Sequence, residues 1–227
     1  MNGKTPEPGA PAEREPSAAQ ASGKPGRKVD PALRKQAILE AALTVFAERG
    51  YEAARLDDVA ARAGVAKGTL YLYFKDKEAL FEELLQGAVS PVLEGLSALA
   101  SAPELSFGKA LAGLYTMFER DILGTQRKLL LRLIIAEGPR FPHIAEMHYR
   151  NVISRVLPLI EKIAERAAAR GEIASDAVAR YPQLIAAPLL VAVLWDAMFA
   201  KFKPLDVGGM LNTYRELLTS KPGRTEP

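Results

Sequence analysis

From Asp30 onward the apolar residues recur three and four positions apart, and no convincing run of alternating apolar and polar residues interrupts them. A helix buries a stripe with a period of about 3.6, whereas a half-buried strand needs a period of about 2. That single regularity confines the chain to an all-α fold. Asp30 is placed to cap a first helix, and Pro31 suits its opening position. Ile38, Ala42, Val45 and Phe46 then share one stripe, and Gly50 is expected to end the helix. A short helix from Leu56 to Ala63 follows and Gly64 breaks it. A second short helix runs from Lys67 to Phe74, and Asp76 caps a fourth that begins KEALFEELL. Two short helices about a tight glycine turn are the signature of a helix-turn-helix.

The breakers divide what remains. Pro91, Pro103, Gly124, Gly138-Pro139, Pro142, Gly171, Pro204 and Gly208-Gly209 separate helices expected near 106–122, 126–137, 143–170, 176–202 and 207–219. The 227 residues are enough for one large domain or two small ones. The division expected is a helix-turn-helix unit at 30–80 and a larger helical domain at 81–220, with a flexible end at 221–227. Residues 1–29 are rich in Pro, Ala, Gly, Ser, Glu and Lys, and Val29 is their first branched apolar residue. Such a segment cannot bury enough surface to offset its ordering entropy, so it reads as a disordered tail. It is either a solubilising extension or a basic arm that touches nucleic-acid phosphates through Lys24, Arg27 and Lys28.

Composition excludes several chemistries. Cysteine is absent, which removes disulfides, thiolate nucleophiles, Cys-ligated zinc and iron–sulfur clusters. The N-terminus lacks a secretory apolar core. Together these fit a cytoplasmic protein. The most apolar run, Leu184–Ala200, is short and carries Pro188 and Asp196. A membrane span needs roughly 20 largely uncharged residues, so this run reads as a buried helix. His143 and His148 are five apart and fall on different helical faces, and no metal or other cofactor is expected.

Net charge is only +3, so where the charges lie matters more than their sum. Lys24, Arg27, Lys28, Arg34 and Lys35 cluster at the first helix, and Arg55, Arg62, Lys67, Lys75 and Lys77 around the glycine turn. Residues 63–77, AGVAKGTLYLYFKDK, combine glycines, hydroxyls and lysines, a mixture suited to phosphate. A P-loop needs G-x-x-x-x-G-K-[ST]. Here three residues separate Gly64 from Gly68, and the order is lysine, glycine, threonine. A nucleic-acid backbone remains. Leu70 and Phe74 lie four apart and should face the core, which leaves Tyr71 and Tyr73 on other faces. A recognition helix offers its N-terminal residues to base edges, which makes Lys67 and Gly68 the candidates for base reading.

Residues 34–81 resemble the DNA-binding region of the tetracycline-repressor (TetR) family. The marks are the Ile38-Leu39-x-Ala41-Ala42 first helix, Phe46, Gly50-Tyr51, Asp58-Val59-Ala60 and Ala63-Gly64-Val65. Gly68-Thr69-Leu70-Tyr71-x-Tyr73-Phe74 and Lys77-x-x-Leu80 complete them. The resemblance covers about a fifth of the chain. It implies a homodimeric regulator of transcription, usually a repressor that a small molecule in the C-terminal domain releases from operator DNA. It implies phosphate contacts from Thr69, Tyr71 and Lys77, and a base or phosphate contact from Tyr73. Packing is the competing role for both tyrosines. The sequence departs from the family at Arg55 and Ala66, where Thr or Ser often caps a helix. Arg55 is either a phosphate contact or a solvated side chain.

A dimer face is expected on the helix around Pro182–Phe202 and on the last helix. Val191, Leu194, Trp195 and Met198 fall at i, i+3, i+4 and i+7, joined by Tyr214 and Leu218. Candidates for an apolar ligand pocket are Phe107, Leu111, Tyr115, Phe118, His143, Met147 and Tyr149, with core packing as the alternative. Catalysis has little to stand on. Asp57-Asp58 begins a D-D-x-x-D pattern, but Ala61 occupies the last position. No nucleophile–base set has suggestive spacing, and an enzyme is not expected.

Overall fold

The computed structural model describes residues 1–3, 30–173 and 177–219. The tail with Lys24, Arg27 and Lys28, and the last residues 221–227, lie outside the described residues. Every regular element among the described residues is helical. Helix α1 (Pro31–Ala53) starts where Asp30 Oδ1 accepts the Ala32 N–H at 2.8 Å. Gly50 leaves helical geometry at φ 76°, and one more turn follows it. The expected stop is therefore a kink, and residues 51–53 carry Tyr51 into the core. Helices α2 (Leu56–Arg62) and α3 (Lys67–Tyr73) flank Gly64, whose φ of 66° is costly for any residue with a Cβ. Asp76 Oδ1 accepts the Ala79 N–H at 2.7 Å and opens α4 (Lys77–Ser101).

Helix α4 runs through Pro91, which the sequence reading takes as a break. A proline inside a helix costs about 3 kcal/mol. Leu84, Leu85 and Val89 before it, and Leu93 and Leu96 after it, are all buried. Each such side chain contributes about 1.5–3 kcal/mol, so continuing the helix wins. Helix α5 (Phe107–Phe118) ends in a π-helical turn, Glu119–Leu123, before α6 (Arg127–Glu137). Helix α7 (Pro142–His148) runs through a second π-turn, Tyr149–Ile153, into α8 (Ser154–Ala169). The helix expected over 176–202 is instead two, α9 (Ala177–Arg180) and α10 (Gln183–Met198), parted at Tyr181-Pro182. Helix α11 (Val207–Thr219) closes the fold.

Two cores result. The first joins Ile38, Phe46, Tyr51, Val59, Leu70, Phe74, Leu80 and Phe81 to Leu130, Leu133 and Ile134 of α6 and Ile144 and Met147 of α7. The second gathers Leu96, Phe107, Leu111, Leu114, Tyr115, Ile160, Ile163, Ile185, Leu189 and Leu211. Helix α4 feeds both, so the division expected at residue 80 falls inside a continuous helix. Where α6 ends against α1 of the helix-turn-helix unit (the head), Glu137 Oε2 accepts the Tyr51 N–H at 2.8 Å. A Cβ on Gly50 would collide with the same carboxylate.

Candidate nucleic-acid interface and ligand cavity

Helix α3 is fixed by its apolar face. Leu70 is fully buried, Phe74 nearly so, and Val65 packs inward after the turn. The opposite face is open. Lys67 and Gly68 are exposed, Thr69 is half-buried, and Tyr71 and Leu72 are 45% and 85% exposed. Gly68 has ordinary backbone geometry, and a Cβ there would meet nothing within 4 Å. Nothing in the fold asks for glycine at the second position of this helix.

Tyr73 is half-buried against the head's core, its ring 6.5 Å from Phe74. Of its two expected roles, packing accounts for part of its surface. Leu72 went unnamed in the sequence. Its helical position, two after Leu70, is the signal that turns it away from the core.

The cations around α3 are mostly occupied. Lys67 Nζ holds Asp57 at 2.8 Å, with both side chains more than half exposed. This hydrogen bond raises the Lys67 pKa. Arg49 holds Asp58 and Arg62 holds Glu48. Exposed pairs of this kind are weak, so an approaching phosphate can displace the carboxylate. Arg55 is exposed at the start of α2, caps nothing with its side chain, and makes no ion pair among the described residues. Lys77 is different. Its Nζ donates to the carbonyls of Tyr51 and Glu52, each at 2.9 Å, and lies 4.6 Å from the Tyr51 ring centroid. It therefore ties α4 to the end of α1 and keeps one N–H for an outside acceptor.

Between the cores lies an apolar cavity of about 140 Å³, walled by α4, α5, α6, α7, α8, α10 and the two π-turns. Of the seven pocket candidates only Phe118 lines it. Phe107, Leu111 and Tyr115 face the second core, where Tyr115 Oη donates to the Ile185 carbonyl at 3.2 Å. Met147 lies in the first core, His143 tilts against the Tyr51 ring at 5.4 Å, and Tyr149 is 62% exposed. The wall is instead made by residues such as Val92, Met117, Ile134, Val152 and Leu189, with Arg127 and His148. Packing of α5 and α8 against α4, and of α6 against α10, brings these together. Sequence spacing cannot reveal it, because the partners come from six helices and both π-turns. Burial pushes the His148 pKa down, and its Nδ1 is buried without a hydrogen-bond partner.

The expected dimer face is partly assembled. Val191, Leu194 and Met198 are 46%, 40% and 56% exposed along α10, beside exposed Leu184, Leu190 and Phe199. Trp195 is half-buried, and its Nε1 donates to the Lys203 carbonyl at 2.7 Å. Tyr214 and Leu218 pack on the second core instead, because that face of α11 covers α5 and α10. Leu217 is the large apolar residue of α11 that is exposed. Among the described residues no cluster of three metal-ligating side chains occurs, and no helix is long and apolar enough to cross a membrane.

The model of the family described as bacterial regulatory proteins, tetR family, matches residues 38–84. That of the AefR-like transcriptional repressor C-terminal domain matches residues 110–207. The HTH-type transcriptional repressor BepR of Brucella suis is 30% identical over 199 residues, covering 82% of this chain and 83% of BepR. The uncharacterized HTH-type regulator YhgD of Bacillus subtilis is 53% identical over 51 residues, which is 22% of this chain and 27% of YhgD. With several other curated relatives the likeness likewise spans only 30–37% of their length. The structure of FadR from Bacillus subtilis, in complex with stearoyl-CoA, superposes with a TM-score of 0.66. It is 24% identical and covers 82% of this chain and 98% of that one, a likeness of fold.

Proposed function

The chain belongs to the TetR family of bacterial regulatory proteins, and from that premise we propose that it is a homodimeric DNA-binding regulator of transcription, a cytoplasmic repressor released from its operator by a small apolar molecule. One observation carries the DNA-binding part. Helix α3 buries Leu70 and Phe74, leaves Lys67, Gly68, Tyr71 and Leu72 exposed, and holds Thr69 half-buried beside them. A glycine that the fold does not need lies where backbone would have to come close to a base pair. Lys67 is the residue proposed to read bases, with Leu72 suited to a thymine methyl. Thr69, Tyr71, Arg55 and the spare N–H of Lys77 are proposed to hold phosphates.

Pairing is supported by the exposed apolar strip of α10, since a contiguous patch of this kind marks an interface. Release by a ligand is supported by the apolar cavity, whose α6 wall also packs on α1 of the head. The test is selection of bound fragments from genomic DNA, followed by titration of the recovered duplex. Lys67→Ala is expected to change the preference among recovered sites. Tyr71→Phe is expected to weaken all of them alike. Equal, undiminished binding by both variants would remove α3 from the interface.

A further inference from the structure

An open groove beside α1 shares a wall with the apolar cavity. The groove, about 800 Å³, lies between α1, α4 and the start of α6. Ala88, Arg127 and Leu130 line both spaces. Sites that enclose a drug-sized ligand run to roughly 300–1,000 Å³, and the cavity, at about 140 Å³, falls well short. An apolar cavity of about 150 Å³ is known to stay dry and to take a benzene-sized guest. The cavity therefore suits one compact apolar group, and the remainder of a ligand has to pass the shared wall into the groove.

Charge at that wall is unmatched. Arg127 is half-buried, its Nη1 donates to the Asp121 carbonyl at 3.2 Å, and it makes no ion pair among the described residues. The Asp121 carboxylate feels Arg127 but is forked by Arg120 at 2.8 and 2.7 Å. The groove's other charges have partners: Glu83 holds Lys35, Arg62 holds Glu48, and Glu40 accepts from Gln36 Nε2 at 2.9 Å. His148, in the cavity wall, is kept neutral by its burial. Arg127 is thus the one charged side chain among the described residues that line the cavity. A guanidinium offers a planar fork that a carboxylate matches with two hydrogen bonds.

We infer that the cavity and the groove form one site for a small amphiphilic carboxylate, with an aryl or compact alkyl group in the cavity and the carboxylate on Arg127 at the shared wall. This deepens the ligand reading above and rests on it. Head and tail then lie on opposite sides of the Ala88–Leu130 wall, and the head stands next to α1, the first helix of the DNA-binding unit.

Calorimetric titration of the full chain tests it with phenylacetate, 3-phenylpropionate and 4-phenylbutyrate, each against its neutral amide. At the best-fitting chain length the acid is expected to bind roughly ten- to a hundredfold more tightly than its amide. Arg127→Gln is expected to abolish that preference, so that acid and amide bind with similar affinity. Amides that bind the unaltered protein as tightly as their acids would overturn the carboxylate assignment and leave the cavity reading standing. If neither acids nor amides bind, both readings fail. Should Arg127→Gln not fold, the acid–amide comparison in the unaltered protein still decides.

Discussion

Gly68, Lys77 and His148 each separate what the fold needs from what a partner needs. A Cβ at Gly68 meets nothing, so Gly68→Ala is expected to stabilise the protein by about 0.4–1 kcal/mol. The same change is expected to weaken operator binding, because the added methyl stands where DNA must approach. Urea unfolding and fluorescence anisotropy on a labelled duplex check the two halves. Lys77 carries two roles in one ammonium. Its bonds to the Tyr51 and Glu52 carbonyls predict a loss of about 1–3 kcal/mol in Lys77→Ala. Its third N–H predicts a salt slope of DNA binding lower by about one. An unchanged slope would make it a purely internal tie.

His148 titrates in the opposite sense to a salt-bridged histidine. Burial holds its native pKa below the unfolded value of about 6.5. Its stability contribution is therefore complete above that pH and drains away as pH falls below it. The urea midpoint of the unaltered protein is expected to drop more between pH 7.5 and pH 5.5 than that of His148→Leu. The motif picked out Gly68 and Lys77 as expected DNA contacts, but not the bonds of Lys77 to the Tyr51 and Glu52 carbonyls. His148 was visible as a histidine, but its neighbours come from helices far apart in sequence.

At the scale of the element, α6 connects the two halves. Its first turns line the cavity, and its last residue, Glu137, accepts the Tyr51 N–H where Gly50 kinks α1. Glu137→Ala is expected to cost about 1–3 kcal/mol by leaving that N–H unpaired, measured as a shift in the urea unfolding midpoint. A null effect would show that water replaces the carboxylate. The helices of the head were readable in order and nearly to the residue. Caps at Asp30 and Asp76 and the turn at Gly64 are local devices written in local sequence, whereas Gly50, expected as a stop, is a kink because Tyr51 after it is drawn into the core. The body was read less well for an equally physical reason. Pro91, expected as a break, lies inside a long helix, because apolar burial on both sides outweighs the broken hydrogen bond. The break at Tyr181-Pro182 divides a run whose apolar pattern alone reads as one helix.

For the whole molecule, the decisive feature is an apolar strip on α10 that this chain alone does not cover. Leu184, Val191, Leu194 and Met198 follow one helical face and are all exposed by 40% or more. Leu194→Glu is expected to convert a dimer to a monomer in size-exclusion chromatography with light scattering, and to weaken operator binding with it. Paired heads matter because one module of this size grips a short site weakly, and two meet half-sites about 34–36 Å apart. The measurement that bears most directly on this account is hydroxyl-radical footprinting on a duplex recovered by genomic selection. Two protected half-sites, one helical turn apart and filled at the same protein concentration, are the result expected. A single protected site, or no protection even at low salt, would contradict it.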